Sequence, residues 1–192
     1  MADPRELRRL LRERRAQMSP AERIAAALSL ASRLLQMSAV REARRIAGYW
    51  AVGGEIPLHG LMTALPREVD YCLPVLQSGR LLRFAPWRVG DPIVPNRFGI
   101  PEPTEATEAL SPHEVDAVIL PLLGFTRAGD RIGTGGGWYD RSFAFRKRSA
   151  APPLLIGVGY ACQQVDEGWT PQAWDVPLDA IVTERESIAC PR

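Results

Sequence analysis

The amino-acid sequence predicts an α/β fold: a three-layer sandwich with a mainly parallel sheet, forming a single domain with N-terminal helices. Three observations predict it. Short apolar runs alternate with helix-period segments, the pattern of strands joined by helical crossovers. The clearest run, VDAVILP (115–121), is apolar almost throughout rather than at every second residue, as a strand covered on both faces must be. The 192 residues suit one unit, residues 1–192, and can bury a core without disulfides or metal.

The elements follow in order. PRELRRLLRERRAQ (4–17) is helical in pattern. At about 100° per residue, Arg5, Arg8, Arg12 and Arg15 fall within about an 80° arc, while Leu7, Leu10 and Leu11 share another face. This cationic stripe is either a solvated face of a docked helix or a source of one or two arginines that reach an anion. Ser19-Pro20-Ala21-Glu22 is a capping box with proline at the first helical position, so a second helix runs from about Pro20 to Met37. RIAGYWAV (45–52) reads as a buried strand ending at Gly53-Gly54, and a short helix follows near Leu58–Leu65. VDYCLPV (69–75) and LLRFAPW (81–87) are strand-like. A proline-rich connection spans about 91–112, and its aromatic and charged residues favour a ligand-binding loop over a linker. After VDAVILP comes a glycine loop, then a helix over about 137–148, then the strands LLIGVGY (154–160) and LDAIVT (178–183).

Composition excludes several function classes. Apolar content of 46% with 24% charge is globular, and a net charge of +2 gives no field that selects nucleic acid. Lys147 is the only lysine, so an anion site here has to use guanidinium forks and backbone N–H groups. Cys72, Cys162 and Cys190 form no CxxC and are odd in number, which fits a reduced cytoplasmic protein better than a disulfide or zinc scaffold. No apolar run approaches the roughly 18 residues of a membrane span. The arginine-rich N-terminus lacks the apolar core of a signal peptide, and Glu6, Glu13 and Glu22 argue against a transit peptide. The expectation is a cytoplasmic, monomeric protein with small-molecule partners, neither nucleic acid nor membrane. With only His59 and His113 present, histidine catalysis is not favoured.

The stretch RIGTGGGWYDRSF (131–143) carries the chemistry. Glycines let consecutive N–H groups turn toward an anion, and a following helix adds its positive end. The loop is neither GxxxxGK[ST] nor a dinucleotide fingerprint. Its spacing alone allows phosphate binding or a tight structural turn. Arg131 at its entry can offer paired hydrogen bonds to phosphate oxygens. Asp140 is placed either to hold Mg²⁺ or to interact with the helix dipole.

PLLGFTRAGDRIGTGGGWYDRSF (121–143) resembles the signature of the 5-formyltetrahydrofolate cyclo-ligase family, also called 5,10-methenyltetrahydrofolate synthetases. ELRRLLRERRAQMSPAERI resembles that family's N-terminal helices, GYWAVGGEIP a strand ending in a substrate-contacting glutamate, RFGIPEP its FGIxEP loop, and AWDVPLDAIVTE its C-terminal element. The resemblance implies an α/β sandwich that couples ATP hydrolysis to closure of a folate ring, with Mg²⁺. It implies that Arg5, Arg8, Arg131, Ile132, Gly133, Thr134, Gly135, Gly136, Gly137, Trp138 and Tyr139 surround ATP. Trp50, Glu55, Phe98, Trp138 and Tyr139 would meet the folate, and Asp140 and Asp175 the metal. Arg131, Tyr139 and Asp140 would carry catalysis. Two residues depart from the family pattern. Pro4 or Arg5 stands where lysine is frequent, and Trp138 where tyrosine or phenylalanine is usual. These motivate a second expectation, a folate- or nucleotide-binding homologue whose reaction is lost or altered. A third, nucleic-acid binding by the arginine stripe, is opposed by the glutamates in the same helix.

Overall fold

The computed structural model describes residues 3–106, 108–165 and 169–190. Helix α1 (Pro4–Ala16) starts behind Asp3, whose carboxylate accepts from the Arg5 N–H, and α2 (Pro20–Gln36) starts at the expected capping box. There the Glu22 N–H donates to the Ser19 hydroxyl, and the Ser19 N–H donates to the Glu22 carboxylate. A short α3 (Ser38–Arg41) leads into strand β1 (Arg45–Ala47), and α4 (His59–Ala64) precedes β2 (Asp70–Leu76) and β3 (Leu82–Pro86). The remaining elements are β4 (Ile93–Pro95), β5 (Pro101–Pro103), β6 (Ala117–Pro121), β7 (Gly124–Phe125), β8 (Arg131–Ile132), α5 (Trp138–Ser142), β9 (Leu154–Val158), β10 (Ala180–Val182) and β11 (Ser187–Ala189).

The central sheet has seven strands in the order β11-β10-β9-β6-β1-β2-β3. The four inner ladders are parallel, and only the edge strands β3 and β11 run antiparallel. This is the expected mainly parallel α/β sheet. Successive residues of the inner strands enter opposite cores, as the two-residue period of a strand requires. On β6, Ala117 and Ile119 join Leu30, Leu34 and Leu61 under α2 and α4, while Val118 and Leu120 join Phe84, Phe143 and Leu178 on the other face. The second outer layer is mostly irregular chain: the segment around Val176 and Leu178 covers that face without regular structure, beside the short helix α5.

Several boundaries differ from expectation. The strand expected over 45–52 stops at Ala47, and the chain from Gly48 leaves the sheet. At Gly48 a Cβ would lie 2.0 Å from the Tyr71 hydroxyl oxygen, so only glycine lets the chain pass. The helix expected over 137–148 is a single turn, α5, followed by a 3-10 turn (Ala144–Lys147). The break is at Phe143 (φ −110°, ψ 16°), drawn into the core beside Phe84. The 91–112 connection contains the small hairpin β4–β5, and β11 is a strand that the sequence pattern did not show.

The topology fixes where a ligand can bind. From β1 the chain adds β2 on one side, then β6 on the other. The loops leaving β1 and β6 therefore diverge, opening a crevice at the carboxyl ends of the strands. Among the described residues no helix is long and apolar enough to cross a membrane.

Gly48→Ala is expected to destabilise the fold by about 1–3 kcal/mol, the usual range for overpacking a filled core. Urea unfolding of the two proteins, compared at equal slope, checks it.

Candidate active site

The crevice is a cleft of about 460 Å³. Residues after β1 (Tyr49, Trp50, Val52, Glu55) and after β6 (Pro121, Leu122, Leu123) form its walls. The end of β2 (Pro74, Leu76), the hairpin tip (Asn96, Phe98, Ile100) and the glycine loop complete it.

The glycine loop is held by its carbonyls. Arg8 Nε on α1 donates to the Gly133 carbonyl (2.9 Å), and Arg141 Nη1 donates to the carbonyls of Gly136 (3.0 Å) and Gly137 (3.1 Å). The amide hydrogens of 133–137 have no acceptor among the described residues. Gly137 takes a left-handed φ of 65°, a backbone conformation that strains any residue with a side chain. Unpaired N–H groups on such a turn form a nest for an anion. The helix after the loop is only five residues long, so its dipole adds less than the sequence pattern suggested.

Arg131 and Asp140 form an ion pair at 2.9 Å, with side chains 9% and 16% exposed. Arg131 also lies over the Tyr139 ring, 5.4 Å from its centroid. Asp140 was expected as a helix-start acid or a metal ligand. One of its oxygens accepts from Arg131, and the other takes a long 3.4 Å bond from the Val176 N–H. Asp175 accepts from the Gln172 N–H (2.8 Å) and lines the same cleft. Among the described residues no three acid, cysteine or histidine side chains converge. Two carboxylates suit Mg²⁺ nevertheless, because this ion keeps several waters and takes its other ligands from phosphate. Asp140 and Asp175 therefore fit that ion as the residues to hold it.

On the opposite wall, Glu55 accepts from the Val52 N–H (3.1 Å). Burial pushes its carboxyl above the usual 4.5, opposed by that hydrogen bond and by the Arg15 charge. Burial, reinforced by Glu55, pushes the Tyr139 phenol well above its usual range, so it stays protonated at neutral pH and keeps an O–H to donate. Trp50 stands edge-on to Trp87 (5.8 Å between centroids) with part of its ring in the cleft. Phe98, 57% exposed at the hairpin tip, stands edge-on to Trp138 at 6.1 Å.

Two expected ligand residues lie elsewhere. Arg5 is exposed and does not line the cleft. Ile132 is fully buried with Leu11, Leu123 and Val165; in the two-residue strand β8 Arg131 faces the cleft, so Ile132 must face the core. The other expected residues, Arg8, Trp50, Glu55, Phe98, Arg131, Gly133 to Asp140 and Asp175, share one cleft. Sequence reasoning missed several contributors. Arg15 donates to the Gly53 carbonyl (2.6 Å) and Arg23 to the Arg15 carbonyl (2.7 Å), fixing the turn that presents Glu55. Asn96 accepts from the N–H groups of Phe98 and Ile100 and donates to Glu102, which shapes the hairpin tip. The Asn-x-x-Gly pattern was the available signal for that turn. Trp169, whose indole N–H has no acceptor among the described residues, and Trp174, 68% exposed, also line the cleft.

The pH dependence of stability follows from Glu55. Its folded pKa is raised, so its favourable contribution is present below the unfolded value and is lost as pH rises through the folded one. Glu55→Gln is therefore expected to gain stability relative to the unaltered protein as pH rises above about 4.5. Thermal melts of both proteins across that range check the sign.

The comparisons agree on one family. Residues 1–184 match the model of the 5-formyltetrahydrofolate cyclo-ligase family. The chain is 33% identical over 182 residues to the 5-formyltetrahydrofolate cyclo-ligase of Haemophilus influenzae, covering 92% of this chain and 95% of that one. It is 31% identical over 179 residues to the Escherichia coli K12 protein of the same name, covering 91% and 96%. The NMR structure of Aquifex aeolicus 5,10-methenyltetrahydrofolate synthetase superposes with a TM-score of 0.84 at 28% identity, over 98% of this chain and 93% of that one. A family match over nearly the whole length, together with the glycine loop and the cleft it faces, shows that this chain belongs to the 5-formyltetrahydrofolate cyclo-ligase family.

Proposed function

We propose that this chain is an ATP- and Mg²⁺-dependent enzyme that converts 5-formyltetrahydrofolate to 5,10-methenyltetrahydrofolate, giving ADP and phosphate, in the cytoplasm. The observation that carries this reading is one cleft holding two kinds of surface. One is a glycine loop whose N–H groups are unpaired among the described residues; the other is an aromatic wall with a half-buried acid.

The triphosphate lies on the loop. The amide hydrogens of 133–137 meet its oxygens, and Arg131, already oriented by Asp140 and the Tyr139 ring, adds a fixed guanidinium. Mg²⁺, held by Asp140 and Asp175, would neutralise charge on the phosphate oxygens. The pterin lies against Trp50, with Glu55 accepting hydrogen bonds from its N–H groups. Phe98 and Trp138 supply aromatic surface for the rest of the folate.

The formyl group on N5 is an amide and a poor electrophile. Its oxygen attacks the γ-phosphorus of ATP, the bond to the bridging oxygen breaks, and ADP leaves. The resulting imidate phosphate carries an activated carbon. N10 attacks that carbon and loses its proton, and phosphate departs with the former formyl oxygen, leaving the methenyl bridge. No covalent protein nucleophile is required. Catalysis is positioning plus stabilisation of developing charge, which arginines and backbone N–H groups supply. Tyr139, protonated at neutral pH, can donate to a phosphate or formyl oxygen.

The direct test incubates the protein with 5-formyltetrahydrofolate and MgATP and follows the methenyl absorbance. ATP-dependent growth is expected; tight folate binding without growth overturns the reaction. Asp140→Asn keeps a partner for Arg131 but removes the charge, and kcat is expected to fall by about 10²–10³-fold. Normal turnover by that variant would reduce Asp140 to a structural acid. Glu55→Gln is expected to raise the KM for folate more than the KM for ATP, which initial-rate measurements at varied concentrations of each would show.

A further inference from the structure

The function proposed above leaves one charged group at the mouth of the cleft unused. Arg97 stands at the β4–β5 hairpin tip, next to Phe98. Its guanidinium carbon lies 5.1 Å from the Phe98 ring centroid and 5.6 Å from that of Trp138. Those two rings line the cleft from opposite elements, the hairpin and α5, and meet edge to face. Arg97 thus sits where the tip touches the loop side of the cleft. None of its N–H groups has a hydrogen-bond or carboxylate partner among the described residues. Ring contact takes the flat face of a guanidinium and leaves its N–H edge available to an oxyanion.

The tip is well supported. Glu102 accepts from the Leu76 N–H on β2 (3.1 Å) and from Asn96 Nδ2 (2.8 Å), and Asn96 accepts from two amides of the turn. Arg97 is therefore presented on a braced turn rather than on a free loop. The phosphate half of the cleft already has Arg8, Arg131 and the loop amides. The opposite half has flat apolar surface and two acids, Glu55 deep inside and Glu102, which is taken up by the Leu76 N–H and Asn96. A substrate with a flat ring at that depth and a charged end has to leave the charged end at the rim, beyond Phe98 and Trp138. The charged end of a folate is its glutamate, a dicarboxylate.

We propose that Arg97 is a specificity residue that binds the glutamate carboxylates of the folate, its guanidinium pre-oriented by Phe98 and Trp138. This rests on the folate reading of the cleft. The site takes an N-aroyl glutamate or a longer glutamate chain and disfavours a folate analogue without that tail.

The test compares two substrates, 5-formyltetrahydrofolate and 5-formyltetrahydropteroate, which lacks the glutamate, at saturating MgATP. Initial rates are measured with the unaltered protein and with Arg97→Ala. The expected result is that the ratio of kcat/KM between the glutamate-bearing and the tail-less substrate falls about tenfold in the variant, the size of one exposed charge-assisted contact. A ratio that does not change overturns the proposal: equal losses on both substrates would make Arg97 a brace between two rings, and no loss on either would make it a solvated side chain. A raised KM for ATP with an unchanged substrate ratio also overturns it, assigning the guanidinium to phosphate. Failure of the unaltered protein to turn over either substrate removes the reaction itself, and this proposal with it.

Discussion

Everything in the cleft depends on how the glycine loop is tied down. A loop whose amide hydrogens bonded to its own neighbours would have nothing to offer an anion. Here the restraint runs through the carbonyls instead, from Arg8 on one side and Arg141 on the other. The loop is fixed without closing its donors, so an arriving anion would meet groups already in place. Arg8 connects this to the N-terminus: α1 packs through Leu7 and Leu11 against Leu123, just before β7, and Ile132 on β8, the strand that leads into the loop. The helix that orients Arg8 and the strand that delivers Arg131 share one small apolar cluster.

The two halves of the cleft use charge differently. In the half formed by the glycine loop, cations are neutralised or oriented by fixed partners, as in the Arg131–Asp140 pair with so little side chain exposed. A partly buried pair costs desolvation, and its usefulness is geometric rather than energetic. In the other half Glu55 is held in a region where burial opposes its ionisation. Arg15 and Arg23 secure the backbone around it without forming an ion pair with it. Its carboxylate therefore keeps acceptor capacity for a ligand.

Much of this was legible in the sequence. The apolar runs gave the parallel strands because strands buried on both faces have no polar face to alternate. The capping box marked the start of α2 to the residue. Other features were hidden for physical reasons. The β4–β5 hairpin has proline in both three-residue strands, and proline argues against a strand unless the strand is short and at an edge. The helix after the loop looked long because helical period continues through Phe143, but that ring is drawn into the core and breaks it. The arginine stripe showed four candidates at one angle. Which of them meets a neighbour depends on tertiary contacts, so Arg8 reaches the loop, Arg15 reaches Gly53, and Arg5 reaches neither. Ile132 adjoins the loop in sequence, but strand alternation sends it inward.

The placement of the indole side chains has a practical result. Four of the five tryptophans border the cleft, and the fifth, Trp87, touches Trp50 edge-on. Nearly all ultraviolet emission from this protein must then originate within or beside its binding cavity. The molecule carries a built-in optical reporter of occupancy, responsive without any attached dye.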